Sequence, residues 1–497
     1  MPRYDRMYTR KATCEEGVFL KFLRTKSIEA YQMDAAASHL RRTMGALDVT
    51  LLGIGVIVGT GIFVLTGVAA AKYAGPALML SFLIASVTCG FVSMTYSELA
   101  SMVPVAGSAY AYAYTSVGEF FAWLVGWNLV LEYSVGASAV AGGWSAYVVG
   151  LLKTAGIDLP SAYTAVPADG GIVNLPAVLI TLFLSTLLIR GVHESVAVNK
   201  ALVGVKLLAI FIFLFLAAPS VDVTNWEPFL PFGWAGVSAG AAVIFFAYLG
   251  VDSVATAAEE TRNPARDMPI GIIASLVVCT LLYVGVTAVM TGNVPYAQLD
   301  NAEPVAYVLR ELGYRFGSAL VGTGAIAGLT TVLLVMMYAQ TRAFFAMSRD
   351  GLIPQAVCKI HPRYATPHRI TVIVGLGVAL ISGFTPIHVV AEMCSVGTLF
   401  AFIVSAIGVV VMRYRYPDAH RPFRCPAIHL MSLLAVASCG YIMYNLSSMT
   451  WERFWIWSAL GILIYFAYGF RHSREGRRQA AENPSICSLH SRERHVK

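Results

Sequence analysis

The sequence predicts an all-α polytopic membrane protein of twelve transmembrane helices, and three observations carry that expectation. Of 497 residues, 57% are hydrophobic and 13% charged, with a mean hydropathy of +0.67, whereas soluble chains carry about 25% charged residues. Apolar runs follow one another from residue 47 to residue 470, and a helix crossing a bilayer needs roughly 20 apolar residues. The basic residues fall almost wholly in alternate connections between these runs.

Residues 1–46 form a basic, mixed segment in which Phe22, Leu23, Ile28 and Tyr31 interleave with Lys21, Arg24 and Lys26. That pattern predicts an interfacial amphipathic helix. The first strongly apolar stretch follows this segment, which argues against a cleavable signal peptide. The twelve runs lie near 47–71, 77–100, 120–151, 174–190, 196–218, 236–258, 270–292, 316–346, 369–385, 388–412, 428–446 and 452–470. Residues 471–497 read as a basic polar tail with too little apolar content to fold.

An even number of runs places both termini on one side. On that side fall 29 of the 35 lysines and arginines; Lys72, Lys153, Arg310, Arg315 and Arg453 fall on the other, and Lys206 lies inside a run. Positively charged loops stay in the cytoplasm, so both termini are expected there, with the protein in the cell (plasma) membrane. The net charge of +7 is thus explained by loops flanking a lipid bilayer and calls for no nucleic-acid partner.

Residues 53–67 of the first run read GIGVIVGTGIFVLTG. Gly59, Thr60 and Gly61 fall at its middle, where each glycine weakens a helix by roughly 1 kcal/mol. An unwound helix there would restart with free N–H groups and the positive end of its dipole, a receptor for a small carboxylate. Close packing is the competing explanation, since Gly55 and Gly59 form a small-xxx-small pair. The sixth run offers a counterpart: FFAYLGVD, residues 245–252, is interrupted by Gly250 and ended by Asp252. Two interrupted helices five runs apart point to inverted repeats with a binding site between them.

A charge near the bilayer centre costs at least about 2.5–3.5 kcal/mol, so each one needs a reason. Glu132 lies deep in the third run, Lys206 in the fifth, Asp252 at the break of the sixth and Glu392 near the start of the tenth. Glu392, with His388 a turn earlier, is expected at the membrane interface. Asp252 either caps the half-helix after the break or takes part in transport. Glu132 either attracts a cationic substrate side chain or hydrogen-bonds a neighbouring helix. A buried lysine has its pKa pulled down, so Lys206 suits proton coupling, and its ammonium could also stand in for a coupling sodium ion on carbonyls of the unwound first helix. A fixed salt bridge to Glu132 or Asp252, or snorkelling, is the structural alternative.

Between the sixth and seventh runs, Glu259, Glu260, Arg262 and Arg266 can pair at helical spacing, and Asn263-Pro264 is expected to end that helix in a turn. Arg349, Asp350 and Gly351 read as a polar gate or turn after the eighth run, and Trp451, Trp455 and Trp457 as an interface belt. Met336 and Met337 read first as packing residues. The eight cysteines are scattered without paired spacing, so no disulfide framework and no metal site is indicated. A phosphate loop and a nucleophile elbow are both missing from the sequence. An enzyme, an ATP-driven pump and a need for a cofactor are therefore not expected.

Several stretches together resemble the amino acid–polyamine–organocation superfamily, above all its cationic amino acid transporter branch. They are FLRTKSIEAY, LRRTMGALDVT, GIGVIVGTGIFVLTG, GWNLVLEYSVGASAVA, FFAYLGVDSVATAAEETRNPARDMPIGI and MYAQTRAFFAMSRDGLIP, in family order from about residue 22 to 412. The twelve-run length is similar to bacterial members. The resemblance implies a LeuT-like five-plus-five inverted repeat over residues 47–413, with two further helices over 414–470. It implies an L-amino acid at the two breaks, its carboxylate at the N–H groups of Thr60 and Gly61 beside Gly59. The α-ammonium would meet carbonyls of Ile57, Phe246 and Leu249; Phe246 would cover the substrate and Met336 would set side-chain room. Lys206 matches the lysine of proton-coupled members, and Glu132 the third-helix glutamate of the cationic branch.

The expected function is a proton-coupled symporter that imports L-amino acids by alternating access, with small neutral (alanine-like) or cationic (arginine, lysine) substrates both open. An amino acid exchanger is the alternative within transport. An amino acid sensor is disfavoured by the short polar termini, and a channel by the lack of a continuous polar stripe along any run.

Overall fold

The computed structural model describes residues 24–26, 44–103, 108–191, 196–250, 254, 261–364 and 366–482. Every regular element among them is helical, apart from an isolated parallel bridge between Met44 and Thr261. A helix satisfies its backbone within one segment, which lipid demands of any spanning element. In chain order the main helices are α1 (Ala46–Ile57), α2 (Leu78–Met102), α3 (Ser108–Ser116), α4 (Glu119–Thr154) and α5 (Leu175–Ile189). They continue with α6 (Val196–Ala217), α7 (Gly233–Ile244), α8 (Pro264–Asn293), α9 (Pro304–Glu311) and α10 (Arg315–Arg349). The last are α11 (His368–Phe384), α12 (Ile387–Arg415), α13 (Ile428–Tyr444), α14 (Ser448–Ile464) and α15 (Arg474–Glu482).

Among the described residues, 7 helical stretches suffice by length and composition to cross a membrane, and 5 shorter apolar helices have 10–17 residues. Breaks account for part of this count. The first run is cut after Ile57, and its second half runs on through Gly75 into α2, so that Gly61–Met102 forms one stretch of 42 residues. The sixth run reaches only Tyr248 as an apolar helix. The start signals are local. Asp48 accepts from the Gly45 N–H at 2.9 Å at the head of α1, and Asn174 accepts from the Ala177 N–H at 3.4 Å at the head of α5. Each bond satisfies a donor that a helix start otherwise leaves open.

α4 is the post around which the bundle is built: α10, α12, α3 and α11 all pack on it. Trp123 and Tyr147 of α4 are fully buried. α14 docks on it through indoles. The Trp127 Nε1–H donates to the Trp457 carbonyl at 2.8 Å, the Trp457 Nε1–H returns a bond to the Trp127 carbonyl at 3.1 Å, and the rings stack at 4.5 Å. Trp457, half-buried, is thus held by packing on α4, which supplies the acceptor its indole N–H needs. Trp455 stays exposed.

Three features at the ends nearest the termini refine the expectation. Asn263-Pro264 opens α8, since proline's fixed φ suits a first helical turn, while the helix it was expected to end lies outside the described residues. The tail is helical over α15, and Ser473 just before it is buried, donating to the Glu119 carboxylate at 2.5 Å. The buried carboxylate of Glu119, which also takes the Tyr114 and Tyr465 hydroxyls, supplies the reason for that order. Asp350 is buried and takes the Lys26 ammonium at 3.2 Å and the Tyr110 hydroxyl at 2.9 Å. The expected N-terminal interfacial helix lies outside the described residues apart from 24–26, as do Glu259 and Glu260.

Candidate substrate site at the two interrupted helices

The glycine pair in the first run acts as composition suggests. α1 stops at Ile57, Val58 is extended (φ −73°, ψ 99°), and helical geometry returns at Thr60 (φ −57°, ψ −29°). The chain then winds through π-turns over Gly61–Leu65 and Ala70–Ala74. Such wide turns recur at functional sites. In the sixth run α7 ends at Ile244, a 3₁₀ turn covers Phe245–Tyr248, and Leu249 is extended (φ −56°, ψ 140°). Gly250 follows at φ +101°, a conformation that favours glycine.

The two breaks lie against each other. A Cβ on Gly61 would overlap the Cα and Cβ of Ala247, and one on Gly250 would overlap Val56. Tyr283 of α8, fully buried, holds both: its hydroxyl lies 2.8 Å from the Ile57 carbonyl and 2.8 Å from the Ala247 carbonyl. A phenol has one proton to donate, so the two carbonyls compete for it. Tyr147 of α4 donates to the Phe63 carbonyl at 2.6 Å, tying the restarted helix to the post.

The predicted residues divide around this junction. Ile57, Gly59, Thr60 and Gly61 form one side of it, Phe246 and Leu249 the other, and all six are buried. The Thr60 hydroxyl, 2% exposed as a residue, has no hydrogen-bond partner among the described residues. A buried hydroxyl left so is costly, and a polar ligand group at the break would satisfy it. Gly59 faces α10, where a Cβ on it would lie 3.2 Å from Val332. One turn on, Met336 packs at Gly136 of α4. Glu132 is buried on α4 opposite Gly397 of α12, and its carbonyl takes the Cys394 thiol at 3.1 Å. Asp252 lies outside the described residues.

Lys206 of α6 approaches from the other side. Its side chain is buried, and the ammonium donates to the Gly55 carbonyl at 2.6 Å. In an unbroken helix that carbonyl would accept the amide four residues on, so the break is what leaves it open to Lys206. Gly328 of α10 makes room, for a Cβ there would stand 2.8 Å from the lysine Cγ.

Sequence reasoning passed over Tyr283, Tyr147 and Gln340. Gln340 of α10 donates to the Val130 carbonyl at 3.2 Å and to Ser134 at 2.5 Å. A hydroxyl or amide inside an apolar run was the available signal, fainter than a charge. Two small cavities are present away from the breaks. One is lined by Leu188, Tyr338, Arg342 and Thr366, the other by Gly142, Asp169, Asn174 and Thr385. Neither includes a predicted substrate residue; at the breaks themselves Gly61 lies directly against Ala247. Among the described residues no group of three or more metal-binding side chains occurs.

Comparison with known proteins agrees with this architecture. The sequence model of the family described as "Amino acid permease" matches residues 44–467. The chain is 45% identical over 459 residues to the branched-chain amino acid permease BcaP of Bacillus subtilis, covering 91% of this chain and 98% of that one. It is 43% identical over 452 residues to the methylthioribose transporter of the same organism, covering 90% and 98%. Against the vacuolar cationic amino acid transporter 4 of Arabidopsis thaliana it is 37% identical over 389 residues, covering 76% and 64%. The chain belongs to the amino acid permease family of the amino acid–polyamine–organocation superfamily, in its cationic amino acid transporter branch, a family of membrane transporters and not of enzymes.

Proposed function

We propose that this protein is a proton-coupled secondary transporter that imports L-amino acids across the cell membrane by alternating access. The observation that carries the reading is the bond from Lys206 to Gly55, which joins a titratable buried group to the helix that breaks at the substrate site. Protonated, Lys206 holds α1 by a charge-assisted bond; deprotonated, it loses that hold. Substrate at the breaks and a proton on Lys206 would then favour the same closed arrangement, which is the differential binding that coupling requires. In this reading residues 47–413 form a ten-helix inverted repeat, 414–470 two further helices, and the charge bias of 29 to 5 places both termini in the cytoplasm.

The substrate carboxylate would meet the Thr60 hydroxyl and the N–H groups of Thr60 and Gly61, and the α-ammonium the carbonyls of Ile57, Phe246 and Leu249. Met336 and Glu132 would face the side chain, and Asp252 would act at the second break. Small neutral, branched-chain and cationic amino acids are the candidates, the last two also by the names of relatives. The test is uptake of labelled alanine, leucine and arginine into proteoliposomes with and without an inward proton gradient. Gradient-driven accumulation supports symport. Uptake only into preloaded vesicles favours exchange, with Lys206 a permanent cation on Gly55.

A further inference from the structure

Glu392 has no part in the transport cycle described so far, and its carboxylate is buried among hydroxyls. It lies five residues into α12, about 8 Å from the helix start, and is buried. Its Oε2 accepts from Thr450 at 2.6 Å and from Ser447, both at the head of α14; its Oε1 accepts from the Tyr73 hydroxyl at 3.3 Å. Among the described residues its partners are these hydroxyls and no cation. Among the described residues, His388, one turn earlier, makes no hydrogen bond or ion pair with it, and neither do Glu452 and Arg453 of α14. Of the charged groups on other helices packed against α12, Glu98 is taken by Arg413 and Arg421, and Glu119 by Tyr114, Tyr465 and Ser473. Lys72, beside Tyr73, pairs with Asp300. Among the described residues, Lys153 and Glu132 on α4 do not hydrogen-bond the Glu392 carboxylate.

This donor set accommodates two protonation states in one geometry. As a carboxylate, Glu392 accepts three hydroxyl bonds, without a cation to offset the buried charge. As a neutral carboxyl, it keeps both Oε2 bonds, and a proton on Oε1 donates to the Tyr73 oxygen in place of the long bond from Tyr73. Only the Tyr73 hydroxyl has to turn. Tyr73 belongs to the Ala70–Ala74 π-turn, which continues the helix that restarts at Thr60 and Gly61. The other two partners belong to α14, outside the ten-helix repeat.

We propose that Glu392 is a second proton-binding site, on the face opposite the termini, whose state sets the hold of α12 and α14 on the outer half of the broken first helix. This rests on the transport reading above for its consequence, though not for its chemistry. The step is a simple protonation: one proton from the outer solution joins Oε1, one hydrogen bond reverses direction, and nothing is oxidised or reduced.

The test pairs a spectroscopic and a transport measurement on the reconstituted full chain. In the pH-difference infrared spectrum, a carboxylic C=O band should be present that Glu392→Gln removes. In counterflow of labelled alanine, leucine and arginine, the dependence on external pH should flatten in that variant while exchange itself persists. Glutamine mimics the neutral carboxyl, accepting on its oxygen and donating to Tyr73. Tyr73→Phe, which leaves the carboxyl in place, should shift both the band and its titration midpoint. A difference spectrum unchanged by Glu392→Gln overturns the proposal, and a band insensitive to Tyr73→Phe overturns the link to the first helix. A band that is lost while the pH profile stays as in the wild type overturns the coupling role. Failure of the transport reading is distinct, because it appears in the wild type as accumulation indifferent to the gradient, and the infrared measurement needs no substrate.

Discussion

The ammonium of Lys206 donates to the carbonyl of Gly55 at 2.6 Å, two residues before the first helix breaks. Replacing it with alanine removes both the charge and this bond to the carbonyl. Lys206→Ala should reduce gradient-driven accumulation to the level seen without a gradient, with substrate affinity changed by less than about tenfold. Paired measurements of uptake and binding check this. Normal concentrative uptake would remove Lys206 from coupling.

Tyr283 serves the carbonyls of Ile57 and Ala247 with one hydroxyl. Tyr283→Phe keeps the ring and leaves both acceptors without that donor. A loss of about 1 kcal/mol in stability is expected for one such bond, together with slower transport, because the two breaks lose their common tie. Thermal unfolding in detergent and initial uptake rates read the two effects separately.

Gly61 lies against Ala247 with no space for a side chain. Gly61→Ala should therefore force the breaks apart, at about 1–3 kcal/mol as for other overpacked sites, and weaken substrate binding. The double variant with Ala247→Gly should recover part of the loss. No recovery would mean that Gly61 acts through the substrate alone.

Trp457 stacks on Trp127 and exchanges indole–carbonyl bonds with it. Trp457→Ala should destabilise the protein by about 3 kcal/mol and leave KM for uptake unchanged, since neither ring reaches the breaks. A changed KM would contradict a purely structural role.

Cys425 lies in the connection between α12 and α13, where burial first, and the nearby Glu98 carboxylate second, push its thiol up to about 11. Burial likewise raises the Cys358 thiol. The reactive form is the thiolate, so maleimide should label neither residue in the folded protein at neutral pH and both after denaturation. The folded state favours the neutral Cys425 thiol; that contribution is full below the ordinary thiol pKa and is lost as pH rises through about 11. Labelling of Cys425 in the native protein should accordingly rise steeply only in strong alkali.

Much of the architecture was legible because it depends on local chemistry. Glycine content marks the break near Gly59 whatever surrounds it, and a lysine inside an apolar run is conspicuous without a partner in view. The hydroxyl cluster around Glu392 was not legible because its three partners, Tyr73, Ser447 and Thr450, lie far away in the chain. Tyr283 was missed because a tyrosine in an apolar run looks like any other aromatic until its oxygen is seen between two carbonyls. Substrate varies among close relatives: those at 45% and 43% identity carry the names of a branched-chain amino acid permease and a methylthioribose transporter.

The class of protein, the helical runs, the weak point in the first of them and the lysine inside the fifth could all be read from the chain alone. These follow from composition, propensity and the cost of charge in lipid, all of which act within a few residues. Only the tertiary structure decided that Gly55 receives Lys206, that Gly61 meets Ala247, and that Tyr283 and Glu392 each join separate helices. Those are contacts between residues tens to hundreds of positions apart, set by how helices pack around α4, and no local property of the chain encodes them.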